Sequence, residues 1–525
     1  MGLAAAGAAA DTWGTRDMID IEGHDAEVIV VGAGPTGLML AGELGRAGVR
    51  TLVLDAATER SRQSRAGSIQ PRTAEVLDAR GLLDPLLAGR PPADTVGGHL
   101  AGLPVPLDYR PWQTRWPHPV TVPQYDLEVF LAERLAALPT VQLHTGCALA
   151  ELTADDDGVT VVTADGTRLR AAYLVGCDGA HSRVRAATGV AFPGRSGRYG
   201  MVASDITLTG PDLAGLPHRL EHFSQAVRAN AEQQALLSPL RDGVWRFLFG
   251  GPDQQGVPRD VPVTEAEIAK ALQIACGDGL SLTGVRHASR FSDASRQVER
   301  YRLGRVLLAG DAAHIHLPAG GQGINLGIQD AMNLGWKLAA RLRGDAGDAL
   351  LDSYHDERHP VAARVLANTR AQGVLMSPAD PDVADVRDLL TDLLRLPAAN
   401  RRVAGMISGL DVRYELGDTA ADPLLGARLP DAALTTDAGP TRVAELLRTG
   451  RGLLLEFADP GRAPAGFADR VDTVAARPRT DDRLSGDPVE LPGAALVRPD
   501  GHVCWTDRTG DDLTGALSRW FGPPR

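Results

Sequence analysis

Three groups of residues have the types and spacing to do chemistry. The first is Gly32, Gly34 and Gly37, at GxGxxG spacing behind the apolar run Val28-Ile29-Val30-Val31 and ahead of the apolar-periodic stretch Leu38 to Leu44. At this spacing Gly32 makes the tight turn, Gly34 lets backbone N–H groups approach a pyrophosphate, and Gly37 lets helix and strand pack closely. Pro35 and Thr36 sit between them and open the helix. A second strand, Thr51 to Leu54, ends in Asp55, about twenty residues beyond Gly32, where a carboxylate takes ribose hydroxyls. This fingerprint reads as a dinucleotide site and leaves open which dinucleotide. The second group is Asp178, in a strand that runs through Tyr173-Leu174-Val175-Gly176-Cys177 into Asp178-Gly179 and then Ser182. Locally it reads equally well as a capped strand–turn–helix. In the third, the strand Val306 to Leu308 leads to Gly310-Asp311, then Pro318, then Gly320-Gly321-Gln322-Gly323-Ile324-Asn325 at a helix start. That start presents unpaired N–H groups and a positive dipole. His314 and His316 lie close by, but no third ligand stands at a recognisable spacing, so no metal is expected. In the loop Ser64 to Arg72, Arg65 offers a guanidinium to phosphates or adenosine.

The elements that position these groups belong to a chain of 525 residues, enough for two or three domains. With 44% hydrophobic and 23% charged residues the composition is that of a soluble globular protein, and the formal net charge of −12 argues against nucleic acid. Cys147, Cys177, Cys276 and Cys504 are scattered without a CxxC pair, which excludes a disulfide framework or zinc site and suits the reducing cytoplasm. Residues 1–25 read as a flexible extension: no signal peptide is evident, Ala6 breaks the myristoylation motif, and Met18 is an alternative start. No apolar run approaches the ~18 residues of a membrane span.

Further along, Thr73 to Arg80 reads as a helix stopped at Gly81, and residues 90–120, rich in Pro, Trp and His, as a lid or connector. A helix runs from Asp126, as N-cap, to Leu138, and Asp165-Gly166 joins Val159–Thr163 to Leu169–Leu174 as a hairpin. Residues 199–285 read as an inserted β-sheet domain placed to roof a ligand cavity, with Trp245, Phe247 and Phe249 assigned to its core. It includes a helix capped by Thr264 and ending at Cys276, followed by strand-like Val285 to Val298. The nucleotide-binding domain then comprises 26–198 and 286–400, including a helix from Leu351 to Met376. Residues 410–525 form a small separate α/β domain with a Pro499-Asp500-Gly501 turn, a last helix Leu513 to Phe521, and a single cysteine.

With all three motifs in this order the chain resembles the group A flavoprotein monooxygenases, FAD-dependent aromatic hydroxylases related to p-hydroxybenzoate hydroxylase. Within them it is most similar to the branch acting on aromatic polyketides in antibiotic biosynthesis. The resemblance runs from about Ala26 to Arg525 and implies an α/β fold: a Rossmann-like FAD-binding domain, an inserted β-sheet substrate domain and a C-terminal thioredoxin-like domain without redox cysteines, serving stability or dimerisation. It implies that Gly32, Gly34, Pro35, Thr36 and Gly37 hold the FAD pyrophosphate, Asp55 (more often Glu in the family) the ribose, and Arg65 the adenosine side. Gln124 and Asp311 would meet the ribityl chain, Asp178 would serve FAD and use of the nicotinamide nucleotide, and Pro318, Gly320, Gly321, Gly323, Ile324 and Asn325 would line the isoalloxazine; Leu326 stands where a small or polar residue is also common. The implied activity is NAD(P)H- and O₂-dependent hydroxylation of a polycyclic phenol or quinone through a C4a-hydroperoxide, with NAD(P)H a transient co-substrate and the enzyme a monomer or homodimer. Baeyer–Villiger insertion or oxidative rearrangement by the same flavin, and a non-catalytic FAD-binding scaffold, are the alternatives; a halogenase lacks support because WxWxIP is absent. His99, His222 and Arg241 are candidates for a base, and none is assigned.

Overall fold

The computed structural model describes residues 25–62, 67–90, 98–217, 220–228, 230, 232–240, 242–376, 381–416, 422–458, 460–479, 484–486, 490–510 and 512–525. The N-terminal extension, Arg65 and Arg241 therefore lie outside the described residues. Strand β1 (Ala26–Val31) feeds the helix α1 (Pro35–Arg46), which returns to β2 (Thr51–Leu54). Val28, Ile29 and Val30 are fully buried, as expected of a β-branched strand covered on both faces. Helix α2 spans Pro71–Asp78, two residues earlier than the expected Thr73 to Arg80, because Pro71 takes the first helical position, where its missing N–H costs nothing. Helix α3 likewise begins at Gln124 and ends at Leu135, with Pro123 as its N-cap. Asp126, expected to cap it, instead lies in the first turn and pairs with Arg90 at 2.9 Å.

Strands β3 (Val141–His144), β4 (Leu149–Ala154), β5 (Val159–Thr163) and β6 (Arg168–Gly176) follow, and Ser182 caps the short helix α4 (Arg183–Thr188). The chain then leaves for a second sheet of β7 (Gly200–Thr209), β8 (Gln234–Pro239), β9 (Val244–Gly250) and, after helix α5 (Glu265–Cys276), β10 (Ser281–Ser292). Its order is β8-β9-β7-β10. Thr264 caps α5 as expected, its Oγ1 accepting the N–H of Glu267 at 3.2 Å. Trp245, Phe247 and Phe249 share one face with Val202, Ile206 and Leu237 and pack on Ile268 and Leu272 of α5. They are core, and period-2 alternation turns Arg246 to the other face, where it pairs with Asp205 of β7. Because β10 pairs with β7 as far as Ser292, the inserted sheet continues past residue 285.

Back in the first domain, β11 (Arg302–Leu303) and β12 (Val306–Leu308) complete an eight-stranded sheet ordered β11-β12-β6-β1-β2-β3, with β4 and β5 attached beside β6. The helices α6 (Gly323–Leu342), α7 (Asp348–Leu375), α8 (Pro381–Leu394) and α9 (Pro397–Ser408) follow. The C-terminal sheet contains β13 (Gly452–Glu456), β14 (Val471–Ala475), β15 (Ala494–Val497) and β16 (Val503–Thr506), ordered β14-β13-β15-β16, and ends in helix α10 (Leu513–Phe521). This part is less separate than its sequence texture implies: Leu496, Trp505, Trp520 and Phe521 belong to the same hydrophobic core as Val30, Leu334 and Trp336. Among the described residues, no helix is long and apolar enough to cross a membrane.

Buried charges also cross this junction. Arg498, fully buried, donates to both carboxylate oxygens of Glu357 at 2.7 Å, and Lys337 donates to Glu357 at 2.8 Å. Burial alone would raise the Glu357 carboxyl, yet Arg498 and Lys337 hold it down to about 2, against 4.5 ordinarily. A depressed carboxylate stabilises the fold above its unfolded-state pKa, and that contribution is lost as pH falls through the folded value. Urea unfolding from pH 6 down to pH 2 should therefore show a loss of about 3 kcal/mol from this group between pH 4.5 and 2. In Glu357→Gln that acid limb flattens, from a lower starting stability.

Candidate cofactor and substrate site

The three motifs occupy neighbouring strand ends. β1 pairs in parallel with β2 and β6, and β12 in parallel with β6. All four therefore deliver their C-terminal ends to one edge: the glycine turn from β1, Asp55 from β2, Asp178 from β6, Gly310-Asp311 from β12. In open α/β sheets ligands bind outside these carboxyl ends, where the strand order reverses, here on either side of β1.

Close packing fixes the arrangement. Gly32 has φ +106°, and a Cβ there would come within 2.4 Å of the Cys177 carbonyl, so only glycine lets the β1 turn lie on the β6 end. A Cβ on Gly37 would meet the Gly32 carbonyl at 1.9 Å, which is the helix–strand approach expected of it. Gly34, by contrast, faces open space with nothing within 4 Å of the Cβ position, and no side chain caps α1. Thr36 packs its hydroxyl on Gly310 and Gly327. Asp55 ties the turn from below: Oδ2 accepts the Ala33 N–H at 2.6 Å and Oδ1 that of Ala57 at 2.8 Å. Arg60, which the sequence did not single out, donates to the Ala33 carbonyl at 3.0 Å and lies 3.8 Å from Glu128. Glu128 in turn accepts from Gln124 at 2.8 Å.

Asp178 is satisfied within its own turn, accepting from Ser182 Oγ at 2.5 Å and from the N–H groups of Arg183 at 2.7 Å and Val184 at 3.1 Å. In this geometry it organises a helix start. Asp311 differs: it is exposed, and no hydrogen bond of its carboxylate is seen among the described residues. Behind it the buried Asp330 accepts from the Gly310 N–H at 3.2 Å, from Arg358 at 2.7 Å and faces His314 Nε2 at 2.7 Å. Burial raises the Asp330 carboxyl, but Arg358 and His314 outweigh it and hold it below the usual range. His314 thus serves a salt-linked turn, and no group of three metal-ligating side chains exists among the described residues.

Pro318 leads into the turn Ala319–Gly321 and the start of α6, which no side chain caps. Gly323 is the first residue of that helix and Ile324 is half-buried. Asn325 acts as a staple: Oδ1 accepts the Gln70 N–H at 2.7 Å, while Nδ2 donates to the carbonyls of Gly321 at 2.7 Å and Ser68 at 3.1 Å. Gln70 closes the loop by donating to the Gly320 carbonyl at 3.0 Å. A polar ladder on α7 supports it, Asn368 accepting from Gln322 at 3.0 Å and Gln372 at 2.7 Å, with Gln372 accepting the Ala101 N–H at 2.9 Å. Gln70 lay inside a noted loop; the ladder carried no sequence signal, being scattered amides on a long helix.

Two of the histidines weighed as a base are neighbours in space. The His99 ring stacks on Phe223 at 3.7 Å, beside His222, whose Nδ1 lies 2.9 Å from Ser224 Oγ. Burial foremost, and nearby His222, push His99 down to about 3. With Nδ1 accepting the Gly102 N–H at 3.3 Å, this neutral ring is a poor proton acceptor.

An open pyrophosphate turn, an uncommitted carboxylate and a second uncapped helix start define a dinucleotide-binding α/β protein with an inserted sheet. Residues 25–369 match the model of the FAD-binding domain, and residues 422–524 that of the aromatic-ring hydroxylase C-terminal domain. The chain belongs to the FAD-binding aromatic-ring hydroxylase family and is an FAD-dependent monooxygenase. It is 45% identical over 512 residues to the 12-dehydrotetracycline 5-monooxygenase/anhydrotetracycline 6-monooxygenase of Streptomyces rimosus, covering 95% of this chain and 99% of that one. A rifampicin monooxygenase of Streptomyces venezuelae is 44% identical over 499 residues, covering 94% and 98%. The solved structure of OxyS anhydrotetracycline hydroxylase from Streptomyces rimosus superposes with a TM-score of 0.85 at 44% identity, covering 95% of this chain and all of that one.

The residues present fit FAD: space at Gly34 for the pyrophosphate, Asp311 free to accept hydroxyls, and N–H groups at the start of α6. Replacing Asn325 by Ala leaves the Gln70 N–H and the Ser68 and Gly321 carbonyls unpaired, a loss of about 2 kcal/mol. Titration of apoprotein with FAD should then show affinity weakened about tenfold or more, and unchanged affinity would remove the 320–325 segment from the cofactor site.

Proposed function

We propose that this enzyme uses NAD(P)H and O₂ to hydroxylate a polycyclic aromatic phenol or quinone of the polyketide type. The observation that carries the reading is the pairing of an FAD-shaped set of strand ends with full-length similarity to an anhydrotetracycline hydroxylase. When bound, FAD supplies hydride acceptance and oxygen activation, so no protein nucleophile is required. The chain's own residues bind and orient. Gly32 to Gly37 would hold the pyrophosphate on the dipole of α1, Asp311 would accept ribityl hydroxyls, and the uncapped start of α6 would offer N–H groups to the flavin ring and stabilise negative charge there. Asp55 and Arg60 set the pitch of the pyrophosphate turn through Ala33. The face of the inserted sheet opposite α5, bearing Arg246 and Asp205, and the loop through His99 and Ala101 then enclose the aromatic substrate and exclude water. His99, neutral and weakly basic, shapes that enclosure by stacking. The C-terminal domain, thioredoxin-like in this reading, has one buried cysteine, Cys504, whose thiol burial pushes well up, so it performs no dithiol chemistry.

The test is product mass spectrometry with NADPH and ¹⁸O₂ on tetracycline-type and angucycline-type aromatic intermediates. One ¹⁸O per product with the carbon skeleton intact is expected, and insertion into a ring carbon–carbon bond, resolved by NMR, would mark Baeyer–Villiger chemistry instead. If no polycyclic phenol or quinone speeds NADPH consumption or gains an oxygen, the hydroxylase reading fails.

A further inference from the structure

The C-terminal domain meets the first domain at several points, Arg428 pairing with Glu75 and Arg442 with Asp78 of α2 among them, and one turn, Arg498 to Gly501 between β15 and β16, touches three of its helices together. Arg498 is held on every side. Its guanidinium grips Glu357 of α7 through two bonds of 2.7 Å, contacts the Asp500 carboxylate, and lies over the rings of Trp520 (4.8 Å), Tyr414 (5.2 Å) and Trp336 (5.3 Å). The same turn grips two further helices. The Asp500 carbonyl accepts from Arg72 of α2 at 2.8 Å, and its carboxylate from Asn333 of α6 at 3.3 Å. The Pro499 carbonyl accepts from Arg80, just beyond α2, at 2.9 Å.

These helices also meet nearer the start of α6. Gln70, at the start of α2, bonds Gly320 and Asn325, while Arg358, next to Glu357 on α7, bonds Asp330 and, at 3.3 Å, the Leu326 carbonyl of α6. Adhesion between domains needs none of this: apolar packing holds surfaces together as well as, or better than, buried ion pairs. Forked, charge-assisted bonds add direction, and a cofactor cradle tolerates misplacement of only about 0.5 Å. We propose that Arg498 is a positioning residue for the flavin ring: from the C-terminal domain it sets α2, α6 and α7 in the register that aims the start of α6 at the isoalloxazine. This rests on the assignment of Gly320 to Asn325 to that ring.

The test compares the full-length variants Arg498→Met and Arg498→Lys with Leu455→Ala, which opens a cavity in the sheet of the same domain and removes no hydrogen bond of the turn. In apoprotein, Arg498→Met should speed hydrogen exchange at residues 320–327 while the inserted sheet, residues 200–209, keeps its protection. FAD affinity should fall at least tenfold and the reduction potential of the bound flavin should drop, with Arg498→Lys intermediate in all three. Leu455→Ala should lower the melting temperature and leave the exchange pattern and the potential in place. The proposal is overturned if a folded Arg498→Met matches the wild type in exchange and potential, or if Leu455→Ala reproduces its changes. Should Arg498→Met fail to fold, Arg498→Lys decides by the same readouts. Weakened FAD binding in Asn325→Ala beside wild-type behaviour of Arg498→Met defeats the positioning role alone; unchanged binding in Asn325→Ala defeats the site assignment beneath it.

Discussion

The closeness of helix α1 to the turn after β12 is the constraint on which the site depends. Thr36 occupies the space that side chains at Gly310 and Gly327 would fill, with Cβ positions only 2.7 and 2.3 Å from its hydroxyl. Three segments far apart in sequence thereby share one contact, and interiors packed at crystal-like density transmit any enlargement directly. Gly310 also holds φ +61°, so a side chain there would be strained as well as crowded. With this contact in place the glycine turn after β1 and the exposed Asp311 keep a fixed separation.

Electrostatics supplies the second layer. Asp330 of α6 is anchored between Arg358 and His314 directly behind the Gly310 turn, and Glu357, beside Arg358 on α7, is anchored between Arg498 and Lys337. Each carboxylate is fully enclosed and survives as an anion because two cationic or donor groups face it. Lys337 carries the opposite strain, burial pulling it down to about 8 against the pull of Glu357. The Gly310 turn and the C-terminal domain are thus joined across α6 and α7 by directional charge pairs as well as by apolar surface.

Much of this was legible in the chain. GxGxxG, Asp-Gly and Gly-Asp each follow an apolar strand, and the topology rules for parallel sheets predict that such turns gather at one edge. The inserted sheet and the core role of Trp245, Phe247 and Phe249 were legible too, while their packing on α5 was not. Two helices begin two residues before the starts their sequences suggest, Pro71 taking the first helical position of α2 and Pro123 the N-cap of α3, where neither offers a capping side chain. Tertiary hydrogen bonding was the part left unread. Gln70, Arg60, Asp330 and the Asn368–Gln372 ladder act through partners as much as 271 residues away, and no local pattern marks such residues. Asp178 and Asn325 sit where the motifs put them, yet both bond to protein groups in the structure, so a motif residue can serve by shaping the backbone that meets the ligand.

The strand order β12-β6-β1 has a consequence for biosynthesis. β6 leaves the ribosome long before β12, with the whole inserted sheet translated between them. Until then Leu174, Val175 and Gly176 present an apolar, unpaired edge that later receives Val306 to Leu308. Unpaired edges invite association with other chains, and parallel pairing across long separations is slow. The nascent chain therefore passes through a stage in which its most buried sheet is open on one side. That side closes only once the second half of the chain has been made.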